Sequence, residues 1–99
     1  MDRSREARQI LRAVKSNQFT LRDHATQRST ERVLSRQNVV NVAKTVIEWK
    51  WQEEKQTYWF IGLLDENQPG GFTAAIDNGV WIITVFKRKL TRREKELIK

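Results

Sequence analysis

Apolar residues in the N-terminal part of the chain recur at the spacing of α-helices. One set lies between residues 2 and 16, with arginines on the remaining sides of the helix, and consists of Ala7, Ile10, Leu11 and Val14. A second set follows Ser35, a residue type that favours helix N-caps, and consists of Val39, Val40, Val42, Ala43 and Val46. These spacings predict an amphipathic helix in each region.

The segment between these helices is polar on almost every side. The first helix is expected to end at Asn17, and residues 19–21 are expected to be extended. Asp23 can cap a short helix that runs to about Arg32, in which only Ala25 is apolar. Burial of an apolar face therefore does not explain this helix, and a binding or catalytic role would.

From Ile47 onwards the apolar positions follow the two-residue period of β-strands. Trp49 and Trp51 alternate with charged and polar residues, and we expect both to face the core. The following apolar runs predict three further strands, at residues 57–64, 72–76 and 80–88.

The order of the elements predicts an α+β fold in which N-terminal helices pack on one face of a four-stranded antiparallel sheet. Asp77-Asn78-Gly79 predicts a tight turn, because Asn-Gly accepts positive φ angles. The last strand is apolar on both faces, so we expect it to be central. Thr91 is expected to cap a short charged C-terminal helix over residues 92–99. A chain of 99 residues fits a single domain.

The charge of the chain points to a polyanionic partner. Nineteen Lys and Arg against twelve Asp and Glu give a net charge of +7, which favours polyanions such as RNA through counterion release. The alternative is that this charge serves solubility alone.

Composition also limits the chemistry. Cysteine is absent and there is one histidine, so we expect neither disulfides nor a zinc site, and no cofactor. No apolar stretch reaches the length of a membrane span, and the N-terminus lacks the apolar run of a signal peptide. We therefore expect a cytoplasmic protein.

His24, Arg28 and Arg32 are spaced four residues apart and would project to one side of the predicted helix. Guanidinium groups can hold the oxygens of a phosphodiester while an imidazole transfers a proton. Because metal ligands are scarce, this set suits metal-independent RNA cleavage, with the 2′-hydroxyl as the nucleophile. The alternative is a solvated helix face with His24 as a capping or surface residue and Glu31 paired with Arg28.

Two further positions could complete such a site. Thr84 and Lys87, on or near the end of the last strand, offer a hydroxyl and a cation that could meet the helix. The alternative is ordinary strand propensity and a solubilising strand end. The four tryptophans could stack on bases, but alternating strand tryptophans such as Trp49 and Trp51 are more often core residues.

The run from Phe19 to Arg32 resembles the opening of a bacterial family of small domains of unknown function, which has the pattern His-Ala-x-x-Arg-x-x-x-Arg. The run 83–88, Ile-Thr-Val-Phe-Lys-Arg, is similar to the Thr-Val-aromatic-basic sequence that closes the family's last strand. The resemblance covers about residues 19–89. It leaves residues 1–18 as an N-terminal helical extension and residues 90–99 as a charged C-terminal helix.

This family is similar to the RelE-like and BrnT-like toxins, metal-independent ribonucleases with helices packed on an antiparallel sheet. The resemblance implies a RelE-like fold, a toxin-type endoribonuclease activity, and an acidic antitoxin or other protein as a partner. It assigns Arg28 and Arg32 to the scissile phosphate and His24 to proton transfer. Lys87 would neutralise developing charge, and Thr84 would position a phosphate oxygen.

Two other hypotheses fit the same residues. The first is a non-catalytic module whose basic edge binds RNA, DNA or an acidic protein. The second is a phage or plasmid accessory protein whose charged surface masks a nucleic-acid-binding site of the host. The hypotheses differ in whether His24 meets Thr84 and Lys87 in one cleft.

Overall fold

The computed structural model describes residues 3–22 and 36–98. Helices in this part of the chain are α1 (Arg3–Lys15), α2 (Arg36–Thr45) and α3 (Arg92–Ile98). Strands are β1 (Thr20–Leu21), β2 (Glu48–Gln52), β3 (Thr57–Leu63), β4 (Pro69–Ile76) and β5 (Val80–Lys87). The helix predicted between Asp23 and Arg32, and the predicted cap Ser35, lie outside the described residues.

The strands form one mixed sheet of five strands in the order β1-β5-β4-β3-β2. β2 to β5 form an antiparallel meander, whereas β1 pairs with β5 in parallel, with Thr20 opposite Trp81. The prediction of an antiparallel sheet of four strands is therefore wrong in strand number and in the orientation of β1. The short extended segment becomes a strand because Leu21 packs against the core and the Arg22 N–H donates to the Ile82 carbonyl at 2.9 Å.

The core lies between one face of this sheet and the helices α1 and α2, which confirms the predicted α+β class and the helical packing. α1 buries Ala7, Ile10 and Val14, and α2 buries Val39, Val40, Val42 and Ala43. The sheet contributes side chains that include Phe60 and Phe72, whose ring centroids are 5.0 Å apart. β5 lies between β1 and β4, so it is not an edge strand, but the middle strand of the five is β4 and not the last strand as expected.

The end of α1 has the geometry of a Schellman motif, which confirms the predicted break at Asn17. Asn17 has a φ of 60°. Its N–H donates to the Val14 carbonyl at 2.9 Å, and the Gln18 N–H donates to the Ala13 carbonyl at 2.8 Å. Arg36 of α2 then donates to the side-chain and backbone oxygens of Asn17 and so ties the two helices together.

The two tryptophans of β2 differ in burial. Trp51 is half-buried and packs against the core, with its ring 4.7 Å from that of Tyr58. Trp49 is 36% exposed, so the prediction that it is a core residue is wrong. The reason is its position: β2 is the edge strand, whereas α1 and α2 pack mainly over β3, β4 and β5.

The two predicted turn and cap sequences are confirmed. Asn78 and Gly79 have φ angles of 53° and 121°. Thr91 and Glu94 form a reciprocal capping box at the start of α3. The Glu94 N–H donates to Thr91 Oγ1 at 3.2 Å, and the Thr91 N–H donates to Glu94 Oε1 at 2.9 Å.

β4 begins three residues earlier than predicted, because Gly70 and Gly71 are part of the strand and not of the preceding turn. A Cβ atom at Gly71 would lie 2.0 Å from the Phe60 carbonyl oxygen and 3.0 Å from Phe86 Cζ. The glycine therefore permits a close approach of neighbouring groups within the sheet. No helix in the described ranges is long and apolar enough to span a membrane.

Candidate nucleic-acid interface

The face of the sheet opposite α1 and α2, here called the outer face, carries aromatic, hydroxyl and basic side chains. Strand alternation assigns them, because the neighbouring positions belong to the core between sheet and helices. Side chains on the outer face include Lys50 of β2, Trp59 of β3, Thr73 of β4, and Trp81, Thr84 and Phe86 of β5. The outer face also includes the fully buried Ile61, so it mixes apolar with polar and charged side chains.

A groove of about 710 Å³ runs over this face. Its floor includes Trp59, Thr73, Thr84 and Phe86. Its rim is polar and basic, and includes Arg22 beside β1 together with Gln52, Lys55 and Gln56 around the β2–β3 turn. The groove thus combines an aromatic floor with cations at opposite ends.

Trp59 is the centre of this arrangement. Lys50 lies opposite Trp59 in the β2–β3 register, and its Nζ atom is 4.5 Å from the centroid of the ring. From the end of β5, the Arg88 guanidinium carbon lies 5.1 Å from the same ring. Phe86 reaches across β4 above Gly71, and its ring is within 18° of parallel to that of Trp59, at 6.5 Å between centroids. Both cations are within range of a cation–π interaction with Trp59.

Arg88 is held in place by α3. Its Nη2 atom donates to Glu94 Oε1 at 3.1 Å, and Glu94 is only 6% exposed. The hydrogen bond from the Thr91 backbone N–H lowers the pKa of Glu94 below its usual value, and the charge of Arg88 lowers it further. The carboxylate is therefore charged at neutral pH and fixes the guanidinium beside Trp59.

Trp81 extends the aromatic surface toward β1. It is 38% exposed, and its Nε1 atom donates to the Asp77 carbonyl at 2.9 Å. Together with Arg22 it lines a smaller concavity beside the groove. The two cavities share Arg22, Ala75 and Ile83.

A β-bulge shapes the groove between Trp81 and Phe86. Thr73 is paired with Thr84, whereas Ala74 is paired with Ile82, so Ile83 is an extra residue in β5. Because of this irregularity the consecutive residues Ile83 and Thr84 both line the groove. The bulge therefore places the Thr84 side chain on the groove floor.

Of the five residues predicted for the catalytic site, the structure describes Thr84 and Lys87. Thr84 is half-buried in the groove, whereas Lys87 is exposed at the end of β5 and does not line it. Positions three apart in a strand project to opposite faces, so these two side chains do not converge. His24, Arg28 and Arg32 lie outside the described residues.

The outer-face residues Lys50, Phe86 and Arg88 were not among the predicted site residues, and Trp59 was considered only as one of four tryptophans that could stack on bases. Their alternation with core residues is visible in the sequence, but it does not distinguish the face that helices cover from the outer face. The strand register is what brings Lys50 onto Trp59. No cluster of three or more metal-ligating side chains occurs among the residues that the structure describes.

Comparison of the chain with protein-family models, with curated proteins and with solved structures gave no match.

Proposed function

We propose that the protein binds single-stranded RNA on the outer face of its sheet. The observation that carries this proposal is the Trp59 site, an aromatic ring with the Lys50 and Arg88 cations over it and a groove with a basic rim beside it. Bases stack on aromatic side chains irrespective of sequence, because every base has a π-face, and cations bind the phosphates between them. The net charge of +7 adds a long-range attraction to any RNA.

Stacking can be separated from simple charge attraction by comparing two ligands of equal charge. A single-stranded RNA and an abasic strand of the same length carry the same phosphates, but only the RNA offers rings. Each stacked base is worth about 1 to 3 kcal/mol, so the RNA should bind at least about 5-fold more tightly. Equal affinities in a fluorescence anisotropy titration would refute base stacking on the outer face.

In the catalytic form of this proposal, the protein cleaves RNA as a toxin-type endoribonuclease. This form also proposes a RelE-like fold, a cytoplasmic location and an acidic antitoxin as the partner. In this mechanism the 2′-hydroxyl loses its proton and attacks the adjacent phosphorus, the bond from phosphorus to the 5′-oxygen breaks, and the leaving 5′-oxygen takes up a proton. The products are a 2′,3′-cyclic phosphate and a free 5′-hydroxyl. His24 would transfer the proton, and Arg28 and Arg32 would bind the phosphate.

The support for this mechanism is the position of two groove residues. Thr84 lies on the groove floor, where it could position a phosphate oxygen. Arg22 lies on the rim and precedes His24 by two residues in the chain. Lys87 lies on the other side of β5. It would therefore reach the charge that develops on the phosphate only around the end of the strand.

Cleavage is tested with a mixed RNA pool and mapping of the new ends. We expect 2′,3′-cyclic phosphate ends from the parent protein and a roughly 100-fold or greater slowing in His24→Ala, with RNA binding nearly unchanged. A His24→Ala protein that cleaves at the parent rate would eliminate the assignment of His24. A parent protein that binds RNA without cutting it would leave the outer face as a binding site alone.

A further inference from the structure

Three arginines of α1 project away from the core on the side opposite Ala7, Ile10 and Val14. These residues, Arg5, Arg8 and Arg12, are exposed and together with Gln9 line a concave surface of about 370 Å³. We call Arg5, Arg8 and Arg12 the arginine stripe. Since α1 covers the inner face of the sheet, the stripe and the outer-face groove are on opposite sides of the molecule.

The arginine stripe has no internal counter-charge among the described residues. The one acidic residue of α1, Glu6, accepts hydrogen bonds from Tyr58 and Arg3. No ion pair in the described ranges joins a stripe arginine to a carboxylate. Nothing within this part of the protein neutralises the stripe.

The spacing of the stripe is unfavourable for the isolated helix. Arg5 and Arg8 are three residues apart and Arg12 is four further on, so neighbouring guanidinium groups repel each other. A helix surface that serves solubility alone mixes both signs of charge. A bound polyanion would attract all three guanidinium groups and offset their mutual repulsion. Binding of a polyanion therefore explains why three arginines occupy these positions.

We propose that the arginine stripe is a second nucleic-acid site, which binds the phosphate backbone of a double helix. With a rise of about 1.5 Å per residue, the stripe extends over about 10 Å, a length that covers about three phosphates of one duplex strand. The stripe and the neighbouring Gln9 offer guanidinium groups and one amide, with no ring for a base to stack on, so they fit phosphates held at fixed spacing by a duplex. This inference does not depend on the outer-face proposal.

The test compares two triple variants of equal charge. One is Arg5→Gln with Arg8→Gln and Arg12→Gln, in which glutamine preserves helix propensity. The control replaces three exposed lysines elsewhere, Lys44, Lys89 and Lys95, by glutamine. Affinity for a duplex RNA is measured against salt, because each phosphate contact contributes about 0.9 to the slope of log K on log salt.

We expect the stripe variant to lower this slope by about 2 to 3, and the lysine variant to lower it by less than about 1. The stripe variant should unfold at the parent temperature or above it, because the repulsion has been removed. It should also retain any preference of the parent for single-stranded RNA over the abasic strand, so the two sites succeed or fail separately.

Equal losses of slope in both variants would overturn the proposal, because they would show a diffuse charge effect. An unchanged slope in the stripe variant would also overturn it. Polyglutamate is the probe for an acidic protein partner. If the parent binds polyglutamate as tightly as it binds the duplex, and the stripe variant does not, the partner is an acidic protein and the nucleic-acid proposal is overturned.

Discussion

The ammonium group of Lys50 lies 4.5 Å from the centroid of the Trp59 ring on the neighbouring strand. The pair is a consequence of the β2–β3 register, in which the two residues are directly opposite each other. It brings a cation and an aromatic ring together within one cross-strand contact.

Lys50→Gln should weaken binding of single-stranded RNA and lower the salt slope by about 0.7, because one phosphate contact is lost. The control is Lys44→Gln, an equal change of charge at an exposed position of α2. Salt titrations of both variants provide the measurement. A slope that falls equally in the two variants would remove Lys50 from the interface.

Core and edge aromatics should differ in their effect on stability. Phe60 is fully buried, so Phe60→Ala should reduce the free energy of unfolding by about 3 to 5 kcal/mol. Trp49 is at the edge, and Trp49→Ala should cost about 1 kcal/mol or less. Urea denaturation measures both. Similar losses would show that Trp49 is packed in solution.

The sequence was sufficient to predict the helices that bury an apolar stripe, the Asn78-Gly79 turn and the Thr91 cap. Each of these depends on local spacing or on local backbone chemistry. β1 was missed as a strand because two residues carry no periodicity, and it is held by a pairing with β5 that is distant in the chain. The burial of Trp49 was wrongly predicted because alternation gives the face of a strand but not its place in the sheet.

The candidate site was predictable to a smaller extent. The polyanionic partner indicated by the basic composition stays a prediction, whereas Thr84 was correctly expected to lie on the last strand. The Trp59 site depends on residues from three separate segments, which only the strand register and the attachment of α3 bring together.

The cap of α3 should contribute measurable stability. Thr91→Ala removes the acceptor for the Glu94 N–H, and should cost about 1 kcal/mol. Arg92→Ala, at an exposed position of the same helix, is the control and should cost less. Loss of the cap should also weaken RNA binding, because Glu94 would hold Arg88 less firmly. Stability is measured by thermal unfolding. An unfolding temperature of Thr91→Ala equal to that of the parent would contradict the capping role.

The Tyr58–Glu6 hydrogen bond should make stability depend on pH. The Tyr58 hydroxyl donates to the Glu6 carboxylate and lowers the pKa of Glu6 below the ordinary value of 4.5. Because the folded state has the lower pKa, this contribution is present above the unfolded pKa and is lost as pH falls through the folded pKa.

Tyr58→Phe should therefore reduce stability at neutral pH, and the difference from the parent should shrink on acidification below about pH 4. Urea denaturation at neutral and at acidic pH measures this difference. A difference that is constant across this range would show that the hydrogen bond does not favour the charged carboxylate.

The most direct test of RNA binding on the outer face uses two tryptophans of nearly equal exposure on opposite faces of the sheet. Trp81 is 38% exposed beside the groove, and Trp49 is 36% exposed on the side of α1 and α2. Fluorescence anisotropy with a labelled single-stranded RNA gives the affinity of each alanine variant. Trp81→Ala should lose about 5- to 150-fold in affinity, the value of one stacked base, whereas Trp49→Ala should bind as the parent does. Equal affinities of the two variants, or a greater loss in Trp49→Ala, would contradict the assignment of RNA binding to the outer face.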